Sequence, residues 1–359
     1  MKLPPNKRMQ RGVRRHETEK KCMTRRSHVI CRYSIFPLLL IVLLPATQAS
    51  DALDVGFREI SFQSAEYRLV GTLTSPIGRS AVAGVLIIPG SGPVDRDGLS
   101  RIFPAMLPAY RQWAERLSEG GFTVLRYDKR FLTHPPLDFS SVDQEAQIVD
   151  ALSAAAFLRT VRELPSKRIF IIGHSEGGTL APIVAKRADA IAGVIIVNTV
   201  QFPVDELLVA QLQANSTVPA STVAEVKRLF VKLKDNSFPK GGLLVGAGAN
   251  YWTQYMGNSR DSPVTLSRLS MPILLVQTLS DETLPGETLG RNLALLRSVV
   301  ATKENAQLRE LPAHDHFGAL SGEREPSPEF TKTLLEWLSN GGRAAQPGAA
   351  ADAPPAARR

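Results

Sequence analysis

A serine flanked by glycines, Gly173-His174-Ser175-Glu176-Gly177, follows a short apolar run at 168–172 and precedes a helix-competent segment. G-x-S-x-G between a strand and a helix is the spacing of a nucleophile elbow. A serine hydroxyl attacks poorly unless it stands exposed on a tight turn, beside a base and near backbone N–H donors. Such a turn forces the strand and helix backbones together. Glycines two positions before and after the serine remove the side chains that would collide. Alone the pattern is weak, because chance yields it in roughly one of ten chains this long. A plain glycine-rich turn would read the same way.

The remaining parts of a charge-stabilised nucleophile follow in the chain. A second buried-strand pattern, Pro272-Ile-Leu-Leu-Val-Gln277, leads to a loop acid, Asp281. A third ends in Leu311-Pro-Ala-His314-Asp315-His316-Phe317. With these residues, Ser175 would attack an acyl carbon, a histidine would carry its proton to the leaving group, and Asp281 would orient and stabilise the imidazolium. Outside the N-terminal leader the histidines are His134, His174, His314 and His316. His174 sits inside the elbow with its side chain expected to point away from the serine, and His134 lies in an irregular stretch. His314 and His316 both remain open as the base. The backbone N–H of Glu176, the residue after the nucleophile, is the expected first oxyanion donor. His314-x-His316 lacks a second ligand cluster or an H-E-x-x-H motif, so no metal is expected. No phosphate-binding glycine motif occurs either, so neither a nucleotide nor any other cofactor is expected.

Two further motifs join the serine motif: Gly90-Ser-Gly-Pro-Val-Asp-Arg-Asp-Gly98, after an apolar run at 82–88, and Arg126-Tyr-Asp-Lys-Arg130, after 122–125. With them the chain resembles bacterial α/β-hydrolase esterases that carry a G-S-G-P-x-D-R-D loop and a lid domain, over about residues 54–340. The resemblance implies a mostly parallel central sheet flanked by helices, with an inserted helical lid. The family's acid and base loops, roughly G-x-x-D-x-x-V-P and G-x-N-H, select Asp281 and His316, with Asp315 where the family has Asn. The loop after 82–88 implies Ser91 as the second oxyanion donor. Asp95, Arg96, Asp97, Asp128 and Arg130 read as ion pairs that brace loops. Two departures stand out. The family continues D-K-R-G-x-G-x-S, where this chain has Phe131-Leu-Thr-His-Pro-Pro136, and Thr278-Leu-Ser280 replaces the usual glycine before Asp281.

The elements that must position these residues follow from patterning. Two alternating stretches near 57–62 and 67–73 read as an antiparallel pair. Unbroken apolar strands near 82–88, 122–127, 168–172, 191–197, 273–277 and 307–311 then alternate with helices near 104–119, 142–162, 178–187, 287–296 and 329–338. That alternation predicts a parallel sheet covered on both faces. Ligands of such sheets bind beyond the carboxyl ends of strands, where Ser91, Ser175, Asp281 and His316 all fall. Between 198 and 270 the alternation stops. Val204, Leu207, Leu208 and Leu212, then Val223, Val226, Phe230 and Leu233, have helical spacing, and Asn250-Tyr251-Trp252 opens an aromatic cluster. This reads as a helical lid whose aromatics divide between its own core and a substrate pocket, with Tyr251 and Trp252 as the candidate contacts.

The ends differ from the bulk. Residues 1–49 hold eleven Lys or Arg, two acidic residues and an apolar run at 35–44, closing in small residues. That is the anatomy of a secretory signal peptide, and the run is shorter than the ~20 residues of a membrane span. The competing reading is an uncleaved inner-membrane anchor; in either case membrane contact is expected through this leader alone. The whole chain has 43 basic and 34 acidic residues. Setting aside the leader's eleven and two leaves 32 of each sign, so the basic excess belongs to the leader and implies no nucleic-acid partner. Cys22 and Cys31 also lie in the leader, so the rest can form no disulfide. The Ala/Pro/Gly-rich stretch 341–359 is expected to be disordered.

The predicted organisation is a signal peptide at 1–49, hydrolase core at 50–200 and 269–340, a helical lid at 201–268, and the tail. The expected protein is a periplasmic or secreted serine hydrolase acting on small soluble carboxylic esters. Amide hydrolysis, acyl transfer and a non-catalytic binding fold are the alternatives.

Overall fold

The apolar runs become strands because an unbroken run of β-branched residues fits a pleated position buried on both faces. In the computed structural model, residues 54–100, 107–133, 143–164 and 167–343 are described. The leader, His134 and the stretch after 343 lie outside them. The strands are β1 (Val55–Ser64), β2 (Tyr67–Pro76), β3 (Gly84–Ile88), β4 (Thr123–Tyr127), β5 (Ile169–His174), β6 (Ile191–Val197), β7 (Ile273–Thr278) and β8 (Ala306–Leu311). They form one sheet in the order β1-β2-β4-β3-β5-β6-β7-β8. β1 and β2 pair antiparallel from Ser64↔Tyr67 to Val55↔Pro76, and β2 is antiparallel to β4. Every other pairing is parallel.

The helices are α1 (Ala109–Glu119), α2 (Arg130–Thr133), α3 (Gln144–Thr160), α4 (Glu176–Arg187), α5 (Val204–Ala214), α6 (Ala220–Lys234), α7 (Ala249–Ser267), α8 (Glu287–Thr302) and α9 (Pro328–Ser339). Successive strand residues point to opposite faces, and the sheet therefore has two cores. On one face Leu86, Ile171 and Leu275 pack with α3, α4 and α8, through Ala151, Leu180 and Leu296 among others. On the other, Val85, Ile172 and Val276 pack with α1 and α9, through Trp113 and Phe330. Burying one such side chain is worth about 1.5–3 kcal/mol, which is why the sheet, rather than any loop, fixes where the site residues emerge.

Helix starts follow their caps. The Asp143 side chain accepts from the Ala146 N–H at 2.9 Å, and the Ser327 hydroxyl accepts from the Phe330 N–H at 3.0 Å ahead of Pro328. α2, a single turn after the Arg126–Arg130 motif, had no sequence signal. Between β6 and β7 stand α5, α6 and α7. The helically spaced Val226, Phe230 and Leu233 of α6 meet Trp252, Tyr255 and Met256 of α7 in a separate small core. No helix among the described residues is long and apolar enough to cross a membrane.

Candidate active site

Four parallel strands deliver the singled-out residues to one edge of the sheet: β3 leads to Gly90 and Ser91, β5 to Ser175, β7 to Asp281 and β8 to His316. Ser175 has φ 53° and ψ −122°. A non-glycine residue held there costs about 1–3 kcal/mol and persists only where its surroundings over-determine it. They do so here. The Ser175 N–H donates to Val197 O at 3.0 Å, and its carbonyl accepts from the Gly178 N–H and the Thr199 hydroxyl, both at 3.0 Å. The flanking glycines are sterically required. A Cβ on Gly173 would lie 2.5 Å from Gly177 O, and one on Gly177 would lie 2.6 Å from Pro89 O. Gly90 approaches less closely but still tightly, its hypothetical Cβ falling 3.1 Å from Ser175 Cβ.

Asp281 and His316 meet. The His316 Nδ1–H donates to Asp281 Oδ1 at 2.9 Å, and both side chains are almost fully buried. The same oxygen accepts from the Thr283 N–H at 2.9 Å and from its hydroxyl at 2.7 Å, while Gln277 Nε2 reaches Oδ2 at 3.4 Å. Burial works against both charges. It pulls the imidazole down, but the Asp281 carboxylate outweighs it and leaves His316 above its ordinary value. Burial likewise raises Asp281, and His316 with the Thr283 donors more than reverses it, leaving the carboxyl below its ordinary value. Both shifts favour a carboxylate that steadies an imidazolium.

His314 is engaged elsewhere. Its Nδ1–H donates to Pro312 O at 2.6 Å, and its Nε2 shares a hydrogen bond with the Ser327 hydroxyl, also at 2.6 Å. Both ring nitrogens are thus taken up by the α9 cap and its own loop.

His174, buried inside the elbow, ties the parts together. Its Nε2 lies 2.9 Å from the His316 carbonyl, which can only accept, so Nε2 carries the proton. Nδ1 must then accept from the Tyr110 hydroxyl at 2.8 Å, and that hydroxyl accepts from the Gly90 N–H at 2.8 Å. Asn198 Nδ2 also donates to the His316 carbonyl, at 2.8 Å. Burial, then the neighbouring His316, pushes His174 down to about 3, so its ring stays neutral. The His174 and His316 ring centroids are 4.5 Å apart. This network joins α1, the turn at Ser175 and the loop that carries His316, and no local sequence signal marks Tyr110 or Asn198 as members.

Ser91 is exposed on its loop, and Glu176 is completely buried at the first position of α4. Among the described residues neither backbone N–H has an acceptor. Tyr251 of α7 packs with Trp252 and Tyr255, ring centroids 5.2 and 5.8 Å away. Burial, then the Glu176 carboxylate, holds its phenol well above the ordinary value, with Ser91 pulling the other way. Trp252 is buried in the core of the α5–α7 insertion, edge-on to Phe230 at 5.4 Å, and its indole N–H donates to Leu244 O at 2.7 Å. Tyr251 is partly buried against the same core.

The motif charges brace loops. Arg96 reaches Asp128 at 3.3 Å and Glu59 at 3.0 Å, Arg126 pairs with Asp97, and Arg130 holds Asp150 through contacts of 2.9 and 2.7 Å. Asp95 Oδ1 accepts from the Asp97 and Leu99 N–H groups, both at 2.9 Å.

An open, mostly parallel sheet with the candidate residues just beyond its strand ends, and an insertion after its sixth strand, defines a class. Residues 85–331 match the family described as "Alpha/beta hydrolase family". The chain belongs to that family. It is also 32% identical over 213 residues to "Esterase EstD" of Thermotoga maritima, covering 58% of this chain and 48% of the relative. The match thus spans about half the length of that curated relative. Among solved structures, esterase Pf2001 of Pyrococcus furiosus superposes with a TM-score of 0.53 at 15% identity, covering 79% of this chain and 92% of that one. Est1E of Butyrivibrio proteoclasticus, with ferulic acid bound, gives a TM-score of 0.53 at 16% identity over 79% and 98% of the two chains. At such identities these two likenesses describe the fold.

Proposed function

We propose that the protein is an exported serine hydrolase that cleaves carboxylic esters, small soluble ones above all, through Ser175, His316 and Asp281. The Ser175 oxygen attacks the acyl carbon while His316 Nε2 takes its proton. The tetrahedral oxyanion is received by the N–H groups of Ser91 and Glu176. Collapse expels the alcohol, which leaves with the proton from His316, and an acyl-serine remains. Water then attacks with His316 again as base, releasing the acid and restoring the serine. Asp281 keeps the imidazole in the tautomer that presents Nε2 and steadies its charged form. The insertion α5–α7 acts as a lid, with Tyr251 as its contribution to the substrate pocket.

The observation that carries this reading is the 2.9 Å Asp281–His316 hydrogen bond, made where the His316 carbonyl also binds His174 of the serine turn. The two N–H groups without acceptors support the oxyanion roles, and the esterase names among similar proteins support the substrate class. The test is a panel of p-nitrophenyl esters from acetate to palmitate beside p-nitroanilides, with wild type and Ser175→Ala. We expect ester turnover fastest at short chains and absent in Ser175→Ala. Anilide turnover equal to or above ester turnover would make the protein an amidase, and inertness of wild type on every substrate would make it a binding fold. Export by the leader predicts activity in the periplasm or medium of expressing cells; activity confined to the cytoplasm would contradict it.

A further inference from the structure

Lys129 belongs to the Arg126–Arg130 motif, yet the mechanism above does not use it. It is 4% exposed, and its Nζ donates to Gly90 O at 2.5 Å and reaches Glu176 Oε2 at 3.4 Å. Glu176 is itself fully buried, and its other oxygen accepts from Gln144 Nε2 at 3.0 Å and Gln147 Nε2 at 3.2 Å. Gln144 in turn accepts from Asn258 Nδ2 of α7 at 2.7 Å. A buried ion pair is a poor route to stability, because desolvation offsets most of its attraction. Its placement therefore invites a reading in terms of what it touches.

What it touches is the peptide between Gly90 and Ser91. That unit is planar and trans, so its C=O and N–H point in opposite directions. An ammonium that fixes the Gly90 oxygen fixes the direction of the Ser91 N–H. It also draws electron density toward the oxygen and makes the N–H a stronger donor, as in any hydrogen-bond chain of low local dielectric. The Gly90 N–H is tied to Tyr110 at the same time, so the residue is held from both sides. The ammonium's second partner, the Glu176 carboxylate, belongs to the residue that supplies the other oxyanion N–H.

We propose that Lys129 is a positioning residue for the oxyanion hole: its ammonium, clamped between the Gly90 carbonyl and the Glu176 carboxylate, aims and polarises the Ser91 N–H toward the developing oxyanion. The proposal rests on the serine hydrolase reading above and names a residue that reading does not need for binding or proton transfer.

The test is Lys129→Met, which keeps the apolar stem and removes the charge, with active sites titrated to completion by a fluorophosphonate. Turnover of p-nitrophenyl acetate is then expressed per titrated site. Losing an oxyanion donor outright lowers kcat by about 10²–10³; misaiming one predicts a fall of about 10- to 100-fold in kcat, with KM within about threefold. A trifluoromethyl ketone, whose serine adduct carries the oxyanion, should weaken by the same factor as kcat/KM. Per-site kcat within twofold of wild type, or a lower kcat with unchanged ketone affinity, would overturn the proposal. Should the single variant fail to fold around an unpaired Glu176, Lys129→Met/Glu176→Gln leaves no unpaired charge and must show the same per-site loss; near-normal turnover in it would be equally fatal. A wild type that the fluorophosphonate does not label at Ser175 would sink the hydrolase reading itself, a distinct result from a labelled wild type with an indifferent Lys129.

Discussion

Acidification should loosen the fold through His174 before it touches most carboxylates. The ring is 1% exposed, neutral, and committed at both nitrogens to Tyr110 and the His316 carbonyl, with its proton affinity pushed down to about 3 from the ordinary 6.5. Between those values the unfolded chain binds a proton that the folded chain refuses, so stability falls as pH falls from 6.5 toward 3. One pH unit across that window is worth about 1.4 kcal/mol. From pH 7 to pH 5 this one residue should cost about 2 kcal/mol, and by pH 4 about 3 kcal/mol. His316 has the opposite sign: its folded value is raised, so its contribution is full below 6.5 and is lost as pH rises through the folded value. Comparison with a variant isolates the His174 share. His174→Gln can still accept from Tyr110 and donate to the carbonyl but does not titrate. Urea unfolding of both proteins at pH 7, 6 and 5 should show wild type losing about 2 kcal/mol more than the variant across that range. Parallel pH dependences would show that His174 is not a neutral buried ring, and the hydrogen-bond chain from Gly90 to His316 would fail with it.

Other expectations concern the proposed triad. Asp281→Asn should keep the fold but leave His316 in the wrong tautomer, lowering kcat by roughly 10³–10⁴-fold in steady-state ester hydrolysis; a loss under tenfold would count against the assignment. His316→Ala should abolish turnover. His314→Ala should instead lower the thermal midpoint, by removing the Ser327 contact at the α9 cap, with turnover per active site retained; the reverse pattern would exchange their roles. The acid limb of kcat/KM should have its midpoint above 6.5, because Asp281 favours the charged His316 and only the neutral ring can take the serine proton. A midpoint below 6.5 would mean that burial outweighs the carboxylate.

Much of this site could be read along the chain because its parts end strands. Ser175 and Asp281 each follow a largely apolar, buried run, His316 follows the more polar edge strand β8, and one sheet places the ends of these parallel strands on one edge. The glycines flanking Ser175 were legible for a different reason, since their need is local and steric. What stayed hidden depends on contacts between distant residues. The partners of His314 and His316 could not be read from the sequence: the ring nitrogens of His314 meet Pro312 and Ser327, and Nδ1 of His316 meets Asp281. Thr283, two residues past Asp281, forms a short polar turn that any loop could contain, and its value lies in the oxygen it shares with His316. Gln144, Gln147 and Lys129 converge on Glu176 from α3 and the end of β4, with nothing in their own neighbourhoods to mark them. Trp252 shows the limit of reading aromatics in a helix: composition places it in the insertion, and only packing says which way it faces.

The central claim is that Ser175 is the nucleophile. Reaction with a fluorophosphonate, followed by proteolysis and mass spectrometry, tests it most directly. One equivalent of label should sit on the peptide containing Ser175, appear in step with loss of ester turnover, and be absent from Ser175→Ala. Full turnover in labelled protein, label at another residue, or hydrolysis surviving in Ser175→Ala would contradict it.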